Sequence, residues 1–572
     1  MRLFTASFFF FSVGLLLFCS NCQNSGENVD LLLYNGNIVT MDTQLPSAQA
    51  LAIKGDRIFK IGTNEELDHL KENAQKTLDL KGNFVMPGFI EGHGHFSGLG
   101  KSLINLNFLR SKSWEEIVQQ VAEKVKTAKP GEWIEGRGWH QEKWITRPEK
   151  NIHGYPFHDE LSAVSPDNPV VLRHASGHSL FANKSAMEAA GLNAETPDPD
   201  GGEIVRDING DAIGVFEERA MNVITGAYDE YLQGISEAER TAKWLEGIRL
   251  AEQECLSKGI TSFQDAGSSF IEIERYKELA EANDLNLRLW VMIRHSFADM
   301  KDRLSTFPIL DAGNHFLTVR AIKSEVDGAL GAFGAWLLRA YRDKPHFVGQ
   351  NTTPLSEVSN IADLAAQHEL QLCIHAIGDR ANREVLNIFE SSFAGDFSKD
   401  RRWRIEHAQH LDPTDIPRFR EMGVIASIQG IHCTSDAPFV EKRLGNERAR
   451  VGAYPWRTLL DNRVKIANGT DAPVEDVSAL ECIYASVTRK RADTGFEFFP
   501  EQRMTRQEAL YSYTMANAYA GFEEEQKGSL TRGKLADIIV LSNDLLNCSD
   551  QAILDTKILY TFVGGQIKYS SE

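Results

Sequence analysis

Two histidines one residue apart, His93 and His95, end the segment Pro87-Gly88-Phe89-Ile90-Glu91-Gly92-His93-Gly94-His95. Along an extended chain, residues i and i+2 point to one side, so the pair can grip one metal ion. Gly92 and Gly94 leave room for close approach. The plainer alternative is two surface histidines in a glycine-rich turn. Four further residues bear on the choice. His375 follows Leu372-Cys373-Ile374, and His407 follows Trp403-Arg404-Ile405-Glu406, one βα unit later. Asp471 follows Ile466-Ala467-Asn468-Gly469-Thr470 after two more such units, and Lys323 ends the run from Leu317 to Ile322. In a barrel, strand ends converge on one mouth. Taken singly, each is better read as a satisfied histidine or an aspartate in a turn. Together, in this phase, they point to a metal site.

The elements that position these residues follow from the apolar pattern. Short buried-strand runs stand at 170–172, 260–263, 287–291, 317–322, 370–374, 403–405, 424–428 and 464–467, with helical spacing over 235–258 and 356–368. Alternating β and α over this length predicts a parallel sheet, open or closed. Residues 103–165 break the rhythm and read as an insertion. The two ends are strand-rich. Residues 31–88 are strands joined by turns, including the hairpin signal Asn35-Gly36, and strands recur at 537–541, 558–563 and 566–569. Neither end has enough strands to stand alone, so together they predict one small β domain built from both termini. The expected division is a β domain from 30–88 and 525–570, and an α/β unit over 89–524 with the insertion at about 103–165.

Met1-Arg2, an apolar run from Phe8 to Cys19 and then small polar residues form the layout of a secretory signal over residues 1–22. The run is shorter than the ~20 residues a bilayer span needs. Cys19 and Cys22 sit where it ends. The layout resembles a bacterial lipoprotein signal, with Cys22 favoured as the acylated residue because polar Gln23-Asn24-Ser25-Gly26 follows. Export is expected, to the periplasm, to a membrane through a lipidated Cys22, or as a secreted chain. The other five cysteines are widely spaced with no Cys-x-x-Cys pair, which is no disulfide framework. The composition, 42% hydrophobic and 25% charged, is that of a folded globular chain. A net charge of −19 argues against a nucleic-acid partner.

The chain resembles the amidohydrolase superfamily, in the branch that includes N-substituted formamide deformylase. The resemblance spans about residues 30–570. It is carried by the His-x-His strand, by Ile322-Lys323-Ser324-Glu325-Val326-Asp327-Gly328-Ala329-Leu330-Gly331, by His375-Ala376-Ile377-Gly378-Asp379, by Ile405-Glu406-His407-Ala408-Gln409, and by Asn468-Gly469-Thr470-Asp471-Ala472-Pro473. Gly136-Arg137-Gly138-Trp139 and Arg173-His174-Ala175-Ser176-Gly177-His178 belong to it as well. It implies an α/β fold, a (β/α)8 TIM barrel with a small β-sandwich domain from both termini. It implies His93, His95, His375, His407 and Asp471 as metal ligands, and Lys323 as a carboxylated lysine bridging two metals. The alternative for Lys323 is an ion pair with Glu325 or Asp327. Glu91 departs from the family, which usually has Asp there.

Imidazole, carboxylate and carbamate donors suit Zn, one or two ions per chain, with Mn or Fe as alternatives. The chemistry implied is hydrolysis of an amide-type, non-peptide C–N bond of a small molecule, with Asp471 as the proton-transfer residue. His178, His432 and Trp139 are further candidates for holding substrate. Asp265 could orient a ligand or touch substrate. Trp133, Trp139 and Trp144 could form a lid, or pack the core of the insertion. Two other readings stay open: a deaminase or cyclic amidase on the same fold, and a non-catalytic surface-anchored binding protein.

Overall fold

The structure is a computed structural model that describes residues 28–571. The expected export signal, with Cys19 and Cys22, lies outside the described residues. Eight parallel strands form the centre: β1 (Phe89–Gly94), β2 (Ile260–Ser268), β3 (Arg288–Ile293), β4 (Leu317–Glu325), β5 (Gln371–Ala376), β6 (Arg404–His407), β7 (Ile425–Gln429) and β8 (Ile466–Gly469). Each pairs with the next in chain order. Strands such as Arg288–Ile293 and Ile425–Gln429 are buried along their whole length, as a sheet covered by helices requires.

The seam between β1 and β8 is closed by individual hydrogen bonds. The Asp471 N–H donates to the His93 carbonyl at 2.7 Å. The Asn517 amide donates to the carbonyls of Ile90 and Asn468 at 2.6 and 2.7 Å, and its oxygen accepts from the Asn468 N–H at 2.9 Å. Gly92 allows this approach: a Cβ there would lie 2.4 Å from the Asn468 carbonyl. The architecture is the (β/α)8 barrel that the strand-end phasing and the resemblance suggested.

Both termini build the second unit. One sheet holds Arg57–Gly62, Ala50–Lys54, Val29–Tyr34 and Ala74–Asp79. The other pairs N-terminal strands Ser47–Ala48, Asn37–Val39 and Phe84–Pro87 with C-terminal strands Ile538–Leu541, Ile558–Val563 and Gln566–Ser570. The two sheets share a core that includes Leu33, Leu51, Val85, Ile538 and Phe562.

The insertion is larger than 103–165. A six-stranded sheet stands between β1 and β2, in the order Gly202–Arg206, Ala212–Glu218, Ser179–Ala182, Val170–His174, Ile134–Trp139, Leu106–Asn107. Val170-Val171-Leu172 therefore belongs to the insertion and not to the barrel. An apolar run reads alike in any buried parallel strand; its register with Ile134, Glu135 and Gly136 is what assigns it. Helix Glu237–Ser257, started by the capping box of Ser236 and Glu239, leads the chain back towards β2. All five described cysteines are free. Among the described residues no helix is long and apolar enough to cross a membrane.

Candidate metal centre

The C-terminal ends of the barrel strands open into a cavity of about 720 Å³, covered by the insertion. His95, Lys323, His375, His407 and Asp471 line it, and His93 lies fully buried beside Asp471. The Asp471 carboxylate is the hub. Its Oδ1 is 3.2 Å from His95 Nε2 and 3.6 Å from His93 Nε2, and its Oδ2 is 4.0 Å from His407 Nδ1. The His375 and His407 rings are 4.4 Å apart between centroids, and His93 and His407 are 4.9 Å apart. His407, Ala408 and Asp471 adopt left-handed backbone conformations, with φ of 76°, 44° and 60°. Such angles are costly for side-chain-bearing residues and cluster where function holds them in place.

His93, His407 and His432 are each oriented by a neighbour. Glu406 binds Nδ1 of His93 through a short contact, and is itself held by Arg404. Gln429 Oε1 is 2.7 Å from Nδ1 of His407, and Gln409 is 2.9 Å from Nδ1 of His432. Fixing one ring nitrogen in this way leaves the other facing the site.

The electrostatics suit metal ligation. Burial lowers the pKa of His93 to about 4, and that of His375 and His407 well below the ordinary value, so these rings are neutral donors. Burial alone would raise Asp471, but the hydrogen bond from His95 and the nearby His93 and His407 hold it well below the usual carboxylate range. Burial, followed by Arg294, lowers Lys323. Glu91 accepts from the Thr470 and His93 N–H groups at 2.6 and 3.2 Å, and burial pushes it up to about 8. It braces the seam behind the cluster.

A divalent metal fits this donor set. Nε2 of His93 and Nε2 of His375 are buried and have no hydrogen-bond partner. Leaving such atoms unpaired costs free energy that a ligated ion recovers. His93, His95 and Asp471 place one ligand atom each within 4.8 Å of one another, and so do His407, His432 and Asp471. Lys323 makes no hydrogen bond or ion pair among the described residues. Glu325 is taken by Arg294, and Asp327 accepts the N–H groups of Trp336, Ile377 and Gly378 at 2.8, 2.9 and 2.8 Å.

His178 and His432 line the same cavity. His178 bonds Glu218 at 3.2 Å; burial works against its charged form, but Glu218 prevails and raises its pKa. Trp139 is not brought there. It is fully buried in the core of the insertion, against Trp144, Tyr155 and Phe181, and its indole N–H donates to the Leu172 carbonyl at 2.8 Å. Trp144 shares that core, and Trp133 stacks near Tyr228 and Tyr231. The tryptophans therefore form no lid over the cavity. Asp265 sits behind His95: it accepts the Phe96 N–H at 3.0 Å and the Ser268 hydroxyl.

Glu406, Gln429 and Gln409 had no role in the sequence reading. Glu406 carried a signal, since Arg404 and Glu406 are two apart on one strand and so share a face. The glutamines gave none.

A barrel whose strand ends gather three or more imidazoles around one buried carboxylate is the framework of a metal-dependent hydrolase. The chain belongs to the amidohydrolase family, whose profile matches residues 76–569. It is 32% identical to protein LONG AFTER FAR-RED 3 of Arabidopsis thaliana, over 95% of this chain and 92% of that protein. It is 29% identical to N-substituted formamide deformylase of Arthrobacter pascens, over 94% of this chain and 98% of that one. The crystal structure of a metal-dependent hydrolase from Pyrococcus horikoshii superposes with a TM-score of 0.73 at 25% identity, covering 91% of this chain and 99% of the other.

Proposed function

We propose that the chain hydrolyses an amide-type, non-peptide C–N bond of a small molecule. The observation that carries this is the ionised Asp471 set among His95 and the neutral His93 and His407 at the floor of the cavity. The likeness to N-substituted formamide deformylase supports the bond type. His93, His95, His375, His407 and Asp471 would hold the metal, Zn by donor chemistry, with Mn or Fe as alternatives. Lys323, free of any other partner, is the residue to carry a bridging carbamate if two ions bind. When bound, the metal supplies Lewis acidity, which lowers the pKa of water towards ~7 and polarises a carbonyl. Asp471 takes a proton from the attacking water and returns it to the leaving amine. His178, held as a donor by Glu218, and His432 steady the substrate from the cavity wall. The reading includes export with acylation at Cys22, checked by mass spectrometry of the membrane fraction; a soluble chain that retains residues 1–22 overturns that part.

The test is metal analysis together with a turnover panel. The protein, purified without chelator, is assayed on N-substituted formamides, N-acyl amino acids, lactams, aminopurines and dipeptides. At least one metal per chain and turnover of a non-peptide amide are expected. Ammonia release from the aminopurines alone would assign a deaminase, and turnover of the lactams alone a cyclic amidase. No turnover with less than one metal per chain would favour a binding protein.

A further inference from the structure

The cavity wall opposite the metal ligands carries a cation with no counter-charge. Arg137 lies on the inserted strand Ile134–Trp139 and lines the cavity. Among the described residues its guanidinium makes one hydrogen bond, from Nη2 to the Ala175 carbonyl at 3.2 Å, and no salt bridge. The acids that act on it most are Asp471, Glu475 and Glu135. Glu475 is engaged by Lys143 at 2.8 Å, and Glu135 by Lys101 and Arg173 at 2.9 and 3.3 Å. Arg173 also stands directly across from Arg137 on the neighbouring strand, a further repulsion. Burial lowers the Arg137 pKa to about 10. Only Asp471 remains, and it is not within ion-pairing distance. Both line the one cavity.

The backbone aims Arg137 there. In a regular strand Arg137 and Trp139 would share a face. The register shifts between them, and Gly138 adopts a φ of 96°. This bulge sends Trp139 into the core of the insertion and leaves Arg137 on the cavity side, as bulges beside active sites commonly do. A partly desolvated guanidinium with its N–H edge free is matched by a planar carboxylate, which accepts two of its hydrogens at once.

We propose that Arg137 anchors a carboxylate on the substrate, so that the hydrolysed compound is an N-acylated amino acid or a related amide acid. This rests on the hydrolase reading above. The metal-loaded full chain and its Arg137→Gln and Arg137→Lys variants are titrated calorimetrically with N-formyl-alanine, N-formyl-leucine and N-formyl-phenylalanine and with the three matching carboxamides. Turnover of the same six compounds is measured in parallel. The wild type should bind at least one acid about tenfold or more tighter than its carboxamide. Arg137→Gln should lose that preference while binding the carboxamides as before, and Arg137→Lys should keep part of it. Equal loss of acid and carboxamide binding would show that Arg137 only braces Ala175, and overturns the proposal. So do an absent acid preference in the wild type, a preference that survives in Arg137→Gln, and inorganic phosphate binding in place of the acids. An acid preference without turnover of any amide would leave the anchor standing and remove the hydrolase reading. Turnover without an acid preference would do the reverse.

Discussion

The floor of the cavity and its roof hold histidines by different means. On the floor, His93, His95, His375 and His407 come from β1, β5 and β6 and the turn after β1 of one closed barrel, and His93 and His407 are braced by side chains of neighbouring strands. On the roof, His174 and His178 come from a sheet with its own two cores, and their partners Ser176, Gln141 and Glu218 belong to that same insertion. The floor is thus fixed by strand spacing, while the roof is fixed by a module that touches the reaction only through its inner face. If the proposed function holds, chemistry and substrate choice are housed in separate modules.

Replacing Asp471 by Asn tests the floor most severely. It should cut kcat by about 10²–10⁴-fold, with an unchanged circular dichroism spectrum. Activity near the wild-type value would show that the hub carboxylate is not the proton carrier. Trp139→Ala tests whether the two regions are separable. Removing this fully buried ring should cost about 3–5 kcal/mol by chemical denaturation, yet leave metal content as it was. Loss of metal would show that the floor depends on the roof's core. Glu406→Gln acts on the floor from beneath and should weaken metal affinity about 10–100-fold by competition with a chelator. It also leaves the buried Arg404 short of its partner, so a loss of stability should accompany it.

Glu218→Gln has the smallest expected effect and starts in the roof. Glu218 holds the His178 pKa above 6.5, so the pair's stabilisation is complete below that pH and is lost as pH rises through the folded-state value. The variant should bring the His178 titration, followed by NMR, back down and flatten that part of the stability profile. Among the metal ligands only His375, on which His178 acts, should shift; movement of His93 or His407 would show that roof and floor are coupled more widely.

How much of this was legible in the sequence follows the same division. The floor was, because His93 and His95 share a face by spacing, and His375, His407 and Asp471 fall at the ends of apolar runs in barrel phase. The roof was not. Val170-Val171-Leu172 has the composition of a barrel strand, and only pairing reveals which sheet it joins. Trp139 was read either as holding substrate in a lid or as packing the insertion's core; the structure takes the second, and the bulge at Gly138 that turns it inward has no sequence signal. Gln429 and Gln409 were silent because their partners are distant in sequence. Glu406 was passed over beside the more conspicuous His407, although its spacing from Arg404 turns both into the barrel.

The small β domain draws its strands from both ends of the chain, with Phe84–Pro87 hydrogen-bonded to Ile538–Leu541. Synthesis therefore imposes an order. When the ribosome has delivered the seven N-terminal strands of this domain, which pair among themselves, the three C-terminal strands are still hundreds of residues away, and the exposed edge of Phe84–Pro87 must wait for almost the whole barrel to be made. That edge is apolar and unpaired throughout the wait, a template for the wrong neighbour. A nascent chain stalled within the barrel should thus depend on chaperones far more than the finished protein does, and cutting the last three strands should harm yield before it harms catalysis.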